Sequence, residues 1–118
     1  MRNQPKYNFF KNTIYALQGL KDIIQNESSF KIELIIALIL LPILVFIELG
    51  IIYKLLMFMS LMGMLIAEVI NSAIERAVDL VTLEHHHMAG RAKDAGSAIV
   101  FLSIAVFVVV WGVCLFLV

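Results

Sequence analysis

The sequence has 118 residues, of which 62% are apolar, and a mean hydropathy of +0.97; that is about one domain's worth of chain. Soluble domains average roughly 45–50% apolar residues, and the excess is gathered here in blocks, which points to membrane spans rather than to a large core. Nine basic residues balance nine acidic ones, so there is no electrostatic footprint for nucleic acid, and the single cysteine, Cys114, excludes an intramolecular disulfide.

The opening stretch MRNQPKYNFFKNTIYALQG is too polar for a signal peptide. From Tyr7 the apolar residues recur at helical spacing, at Phe10, Ile14, Leu17, Leu20 and Ile24, with Lys11, Gln18, Lys21, Asp22 and Gln25 mostly on another face. This pattern predicts an amphipathic helix over about 7–26, lying in the membrane interface or packed on its own bundle. QNESSF reads as a break and restart, with Asn26 or Ser28 as N-cap.

LIIALILLPILVFI contains no polar side chain and centres a first span over about 32–50. Pro42 lies inside it and predicts a kink of the kind membrane helices tolerate. Glu48-Leu49-Gly50 reads as a tight turn. A second span follows over about 51–70, its helix continuing to about 84, and a third over about 95–118. Trp111 is a candidate interfacial anchor. Arg2, Lys6, Lys11, Lys21 and Lys31 precede the first span, Arg76, Arg91 and Lys93 lie between the second and third, and only Lys54 lies between the first two. The positive-inside rule therefore places the N-terminus and segment 71–94 in the cytoplasm and the C-terminus outside.

The end of the second span carries the chemistry. MLIAEVINSAIERAVDLV has no glycine or proline, so the helix continues past the bilayer core. At about 100° per residue, Asn71, Glu75 and Asp79 fall within roughly 80° of one another and of Glu68. Asp79 by itself fits a solvated or helix-pairing end. Glu68, Asn71 and Glu75 together point to function, since an ionisable group inside the apolar boundary is expensive to keep. Two carboxylates on one stripe suit Mg²⁺ shared with phosphate oxygens, or one of them suits a general base.

Three adjacent histidines, His85 to His87, do not make a zinc site, because neighbours on a helix point about 100° apart. Gly90-Arg91-Ala92-Lys93-Asp94-Ala95-Gly96-Ser97 combines small residues, which admit a ligand to the backbone, with cations that neutralise phosphate. The same stretch also reads as a positive-inside cap before the third span. No Walker A motif or kinase glycine-rich loop is present. The residues thus describe a membrane protein with three spans and an interfacial helix. Its polar set suits Mg²⁺-dependent phosphoryl transfer. A non-catalytic membrane subunit would account for Glu68 and Asn71, but not for Arg91, Lys93 and Asp94.

EVINSAIERAVD followed by EHHHMAGRAKDAGSA closely resembles the signature of the small bacterial integral-membrane diacylglycerol kinases, and GLKDIIQNESSFKIE resembles their link from surface helix to first span. The resemblance covers essentially the whole chain. It implies an all-α membrane protein, with one integral-membrane kinase domain over residues 1–118, working as a homotrimer with shared active sites in the bacterial cytoplasmic membrane. The substrates it implies are ATP, with Mg²⁺, and diacylglycerol, and undecaprenol is the alternative lipid. Glu68 becomes the general base and Glu27 and Glu75 the Mg²⁺ ligands, with Asn71 beside them. Lys93, Asp94, Gly90, His86, Lys11 and Tyr15 go with the nucleotide, and Glu33 and Ser97 with the lipid.

His85 stands where the family often has tyrosine, Asn8 replaces a basic residue often found in the surface helix, and Pro42 is unusual in the first span. The undecaprenol-phosphorylating relatives tend to read A-K-D-x-A-A after H-P-L-A. Residues 90–98 therefore favour diacylglycerol, while VDLVT at 78–82 leans the other way.

Overall fold

A computed structural model describes residues 8–118; Tyr7, where the first helix is expected to begin, and the basic residues Arg2 and Lys6 lie outside that range. The described residues form four helices: α1 (Phe9–Asn26), α2 (Ser28–Phe46), α3 (Ile51–Val81) and α4 (His87–Phe116). Of these, α2, α3 and α4 are long and apolar enough to cross a membrane.

The helix boundaries have local causes. Asn8 caps α1, its side-chain oxygen accepting from the Lys11 N–H at 3.0 Å. The residue that departs from the family's basic preference therefore satisfies a donor that the helix start would otherwise leave orphaned. Neither Asn26 nor Ser28 caps α2. Glu27 holds that position in extended geometry, without a side-chain cap bond, and the Asn26 amide turns back to donate to Asp22 at 2.6 Å. Glu27 is a one-residue joint whose backbone is fully used: its N–H donates to Ile23 O at 2.9 Å and its carbonyl accepts from Lys31 N at 3.1 Å.

Pro42 lies inside α2 without ending it. After Phe46, Ile47 is extended and the chain turns tightly at Glu48, as expected, with Leu49 N–H donating to Ile47 O at 3.1 Å before Gly50 starts α3. Lys54, one turn into α3, reaches back to Val45 O at 2.9 Å, so an ammonium occupies one of the carbonyls left open at the end of α2. α4 begins at His87, well ahead of the expected span onset at 95, because His86 caps it: Nδ1 accepts from Met88 N at 3.1 Å. α3 stops at Val81, short of 84, where Thr82 turns extended and its hydroxyl accepts from Glu84 N at 3.1 Å.

α3 is the central element: α4 packs along it, and α2 and α1 pack against it as well. Met57 and Leu61 are wholly enclosed, with Ala37, Leu44, Trp111 and Cys114 around them. Trp111 is not an interfacial anchor. It is buried, its indole N–H donates to Met57 O at 3.0 Å, and its ring lies 5.2 Å from that of Phe107. An indole in hydrocarbon needs an acceptor for its N–H, and the carbonyl of the facing helix supplies it. Crossing the hydrocarbon takes about 20 residues, so the 31 residues of α3 project well past it. The projecting end is the part that bears the carboxylates.

Candidate active site

Glu33 on α2 and Glu68 on α3 are both buried, and their carboxyls lie close enough to interact directly. Glu27 and Glu75 stand within electrostatic range of Glu68. Lys93 on α4 stands within range of Glu75. The stripe expected from helical periodicity is present, with Asn71 Nδ2 donating to Glu75 Oε1 at 3.4 Å. Two helices and the joint before α2 thus bring four carboxyl groups together, with Lys93 of α4 in range.

Two buried oxygens there have no hydrogen-bond partner among the described residues: Oε2 of Glu33 and Oδ1 of Asn71. Like charges crowded beside apolar walls repel, and an unpaired buried acceptor costs about 1–3 kcal/mol. Packing alone gains nothing from such an arrangement. Clusters of this kind recur where a protein handles a polar ligand or a proton.

Gly96 on α4 faces this site. A β-carbon built on it would collide with Oδ1 of Asn71 and approach Ile74 Cδ1 at 3.5 Å. The missing side chain is what lets α4 come up against the Asn71 amide. Spacing did not single out Gly96 for this, because the contact is between helices.

The nucleotide candidates gather at the α3–α4 connection. His86, Gly90 and Lys93 line a cleft of about 190 Å³ with Val78, Thr82 and Glu84. A β-carbon on Gly90 would meet nothing within 4 Å, so the glycine leaves open space rather than relieving a clash. Lys93 Nζ pairs with Asp79 Oδ1 at 2.8 Å, and both side chains are nearly half exposed. Asp94 and Ser97 are exposed further along α4, and Lys11 and Tyr15 are exposed on α1.

One member of the polar set was missed by sequence reasoning, which counted it only as a positive charge. Arg76 forks across to the end of α1 and the joint: Nη1 contacts Asp22 Oδ2, while Nε and Nη2 contact Glu27 Oε1 at 3.3 and 3.1 Å. The partners lie 49 and 54 residues away, beyond the reach of any local pattern.

No three His, Cys, Asp or Glu side chains among the described residues are arranged to hold a metal by themselves. The donor set does fit Mg²⁺, which keeps several waters and takes one or two carboxylates together with substrate phosphate oxygens. Glu27 and Glu75 would be those two.

The sequence profile of the prokaryotic diacylglycerol kinases matches residues 14–115, which include all of these candidates except Lys11. The chain belongs to that family. A diacylglycerol kinase of Haemophilus influenzae is 42% identical over 105 residues, covering 89% of each chain. The diacylglycerol kinase of Escherichia coli is 38% identical over 101 residues, covering 86% of this chain and 83% of that protein. The undecaprenol kinase of Bacillus subtilis is 35% identical over 109 residues, covering 92% of this chain and 88% of that protein. With three helices able to span a bilayer, this family member is a kinase of the bacterial membrane.

Proposed function

We propose that the chain transfers the γ-phosphoryl group of ATP to the free hydroxyl of diacylglycerol, giving phosphatidic acid and ADP, at the cytoplasmic face of the inner membrane. The observation that carries this reading is the convergence of Glu27, Glu33, Glu68 and Glu75 where α3 leaves the hydrocarbon. Glu68 is buried at the apolar boundary, as is Glu33 beside it. Glu68 would accept the proton as the lipid oxygen attacks phosphorus and the bond to the β-phosphate oxygen breaks. Mg²⁺ held by Glu27 and Glu75 would neutralise phosphate charge.

Glu33 and Ser97 would line the approach of the lipid headgroup. Asn71 brings an unused acceptor, Oδ1, into the site. Lys93 would exchange Asp79 for a phosphate oxygen, since a half-exposed ion pair is weakly held in water. His86, Gly90 and Asp94 would border the nucleotide. Lys11 and Tyr15 on α1, lying in the interface, would close over it, within one subunit or across a homotrimer with shared sites. Basic residues on the flanking segments support a cytoplasmic position for this face by the positive-inside rule.

The test presents diacylglycerol and undecaprenol side by side to purified protein with labelled ATP and Mg²⁺. Phosphatidic acid as the main product supports the reading. Preferential labelling of undecaprenol would establish the second reading, which the Bacillus subtilis relative favours. No labelled lipid at all would leave a non-catalytic membrane subunit.

A further inference from the structure

We propose that Arg76 is a positioning residue, a latch that fastens the end of α1 to α3 and aims Glu27 at the carboxylate cluster. The end of α1 packs only lightly on the other helices. Ile23 is the only buried residue of that helix, while Phe9, Phe10, Leu17 and Leu20 are well exposed. Against that loose packing, one guanidinium grips two carboxylates at once, Asp22 on the last turn of α1 and Glu27 at the joint. Asp22 is itself braced, its Oδ1 taking the Asn26 amide at 2.6 Å. The planar fork of arginine suits such a bridge, and a lysine ammonium, being a point charge on a flexible stem, cannot reproduce it.

The choice of atoms matters. Both contacts to Glu27 fall on Oε1, and Oε2 takes no hydrogen bond among the described residues. Arg76 therefore fixes the direction of the carboxylate and leaves one oxygen for a cation. Arg76 also lies next to Glu75 in the chain, so one turn of α3 supplies one proposed metal ligand and the guanidinium that orients the other. The metal arm of this inference rests on the kinase reading; the mechanical arm does not.

The experiment compares full-length wild type with R76Q, R76K and D22N in lipid nanodiscs. Amide hydrogen exchange over residues 9–26 is followed without nucleotide. Mn²⁺ affinity is measured by electron paramagnetic resonance with a non-hydrolysable ATP analogue. R76Q should speed exchange in α1 and weaken Mn²⁺ binding about fivefold, the scale of a partly exposed ion pair. In turnover it should raise the Mg²⁺ needed for half-maximal rate by a similar factor, more than it lowers the rate at saturating Mg²⁺. R76K should recover only part of the loss.

D22N removes an exposed partner, so it tests the latch even if R76Q folds poorly; it should loosen α1 with a smaller change at the metal. Unaltered exchange in both R76Q and D22N would overturn the latch. Faster exchange with unaltered Mn²⁺ affinity would overturn the aiming of Glu27. Wild type that labels no lipid would sink the kinase reading instead, leaving the exchange comparison to decide the latch.

Discussion

Gly96 and Asn71 are in contact across the α3–α4 interface, with the glycine backbone against the amide oxygen and no room for a methyl group between them. The same oxygen is buried and accepts no hydrogen bond. The close approach of two helices and the placing of an unsatisfied polar atom in the site are therefore one event. Small residues at helix interfaces in membranes have this effect generally.

Substituting alanine for Gly96 should push the Asn71 side chain aside, because a side-chain tip yields more readily than helix backbone. The expected result is a loss of at least about tenfold in turnover with destabilisation of about 1–3 kcal/mol, the usual range for overpacking. Turnover and reversible unfolding in mixed micelles measure the two. Wild-type rates in G96A would show that the position of Asn71 is not critical.

Glu68→Gln keeps the shape and removes the carboxylate. Turnover should fall below about 1% of wild type, since general-base catalysis contributes about 10²–10⁴-fold, while the protein remains folded and inserted. Initial rates with saturating ATP and Mg²⁺ check this. A near-normal rate would remove Glu68 as the base.

Glu75→Gln retains an oxygen able to accept from Asn71, so the 3.4 Å contact can persist. What it loses is negative charge toward a cation. The Mg²⁺ concentration for half-maximal rate should rise tenfold or more, the size of about 1.4 kcal/mol. A Mg²⁺ titration that overlays wild type would count against ligation.

Trp111→Phe should lower stability with little effect on catalysis, because Trp111 packs in the core beside Met57, on the span that precedes the carboxylate cluster. Hydrogen bonds between membrane helices average about 0.6 kcal/mol and reach about 1.7, so a loss near 1 kcal/mol is expected once the smaller ring is included. Met57 O keeps the Ser60 hydroxyl at 2.8 Å, so the carbonyl is not orphaned. Denaturation midpoints give the stability change, and a large fall in turnover at low temperature would show that the indole does more than pack.

Three apolar helices, the projecting end of the second and the stripe of Glu68, Asn71 and Glu75 were legible in the linear order of residues. Each depends on composition or on the 3.6-residue period, which are local properties. Helix ends were less legible. The capping by Asn8 and His86, and the refusal of Asn26 and Ser28 to cap, turn on short side-chain contacts that several nearby polar residues could equally make. Trp111 was misjudged because an indole near a span end suits either an interface or a buried acceptor. Its partner, Met57 O, lies on another helix.

The contacts that shape the candidate site were beyond local reading: Glu33 beside Glu68, Arg76 on Asp22 and Glu27, Lys93 on Asp79, and Gly96 under Asn71. These partners lie on different elements and meet because α1, α2 and α4 all pack on α3. Periodicity states which face of a helix a residue occupies. It is silent on which other helix will face it, and the packing of whole helices settles that.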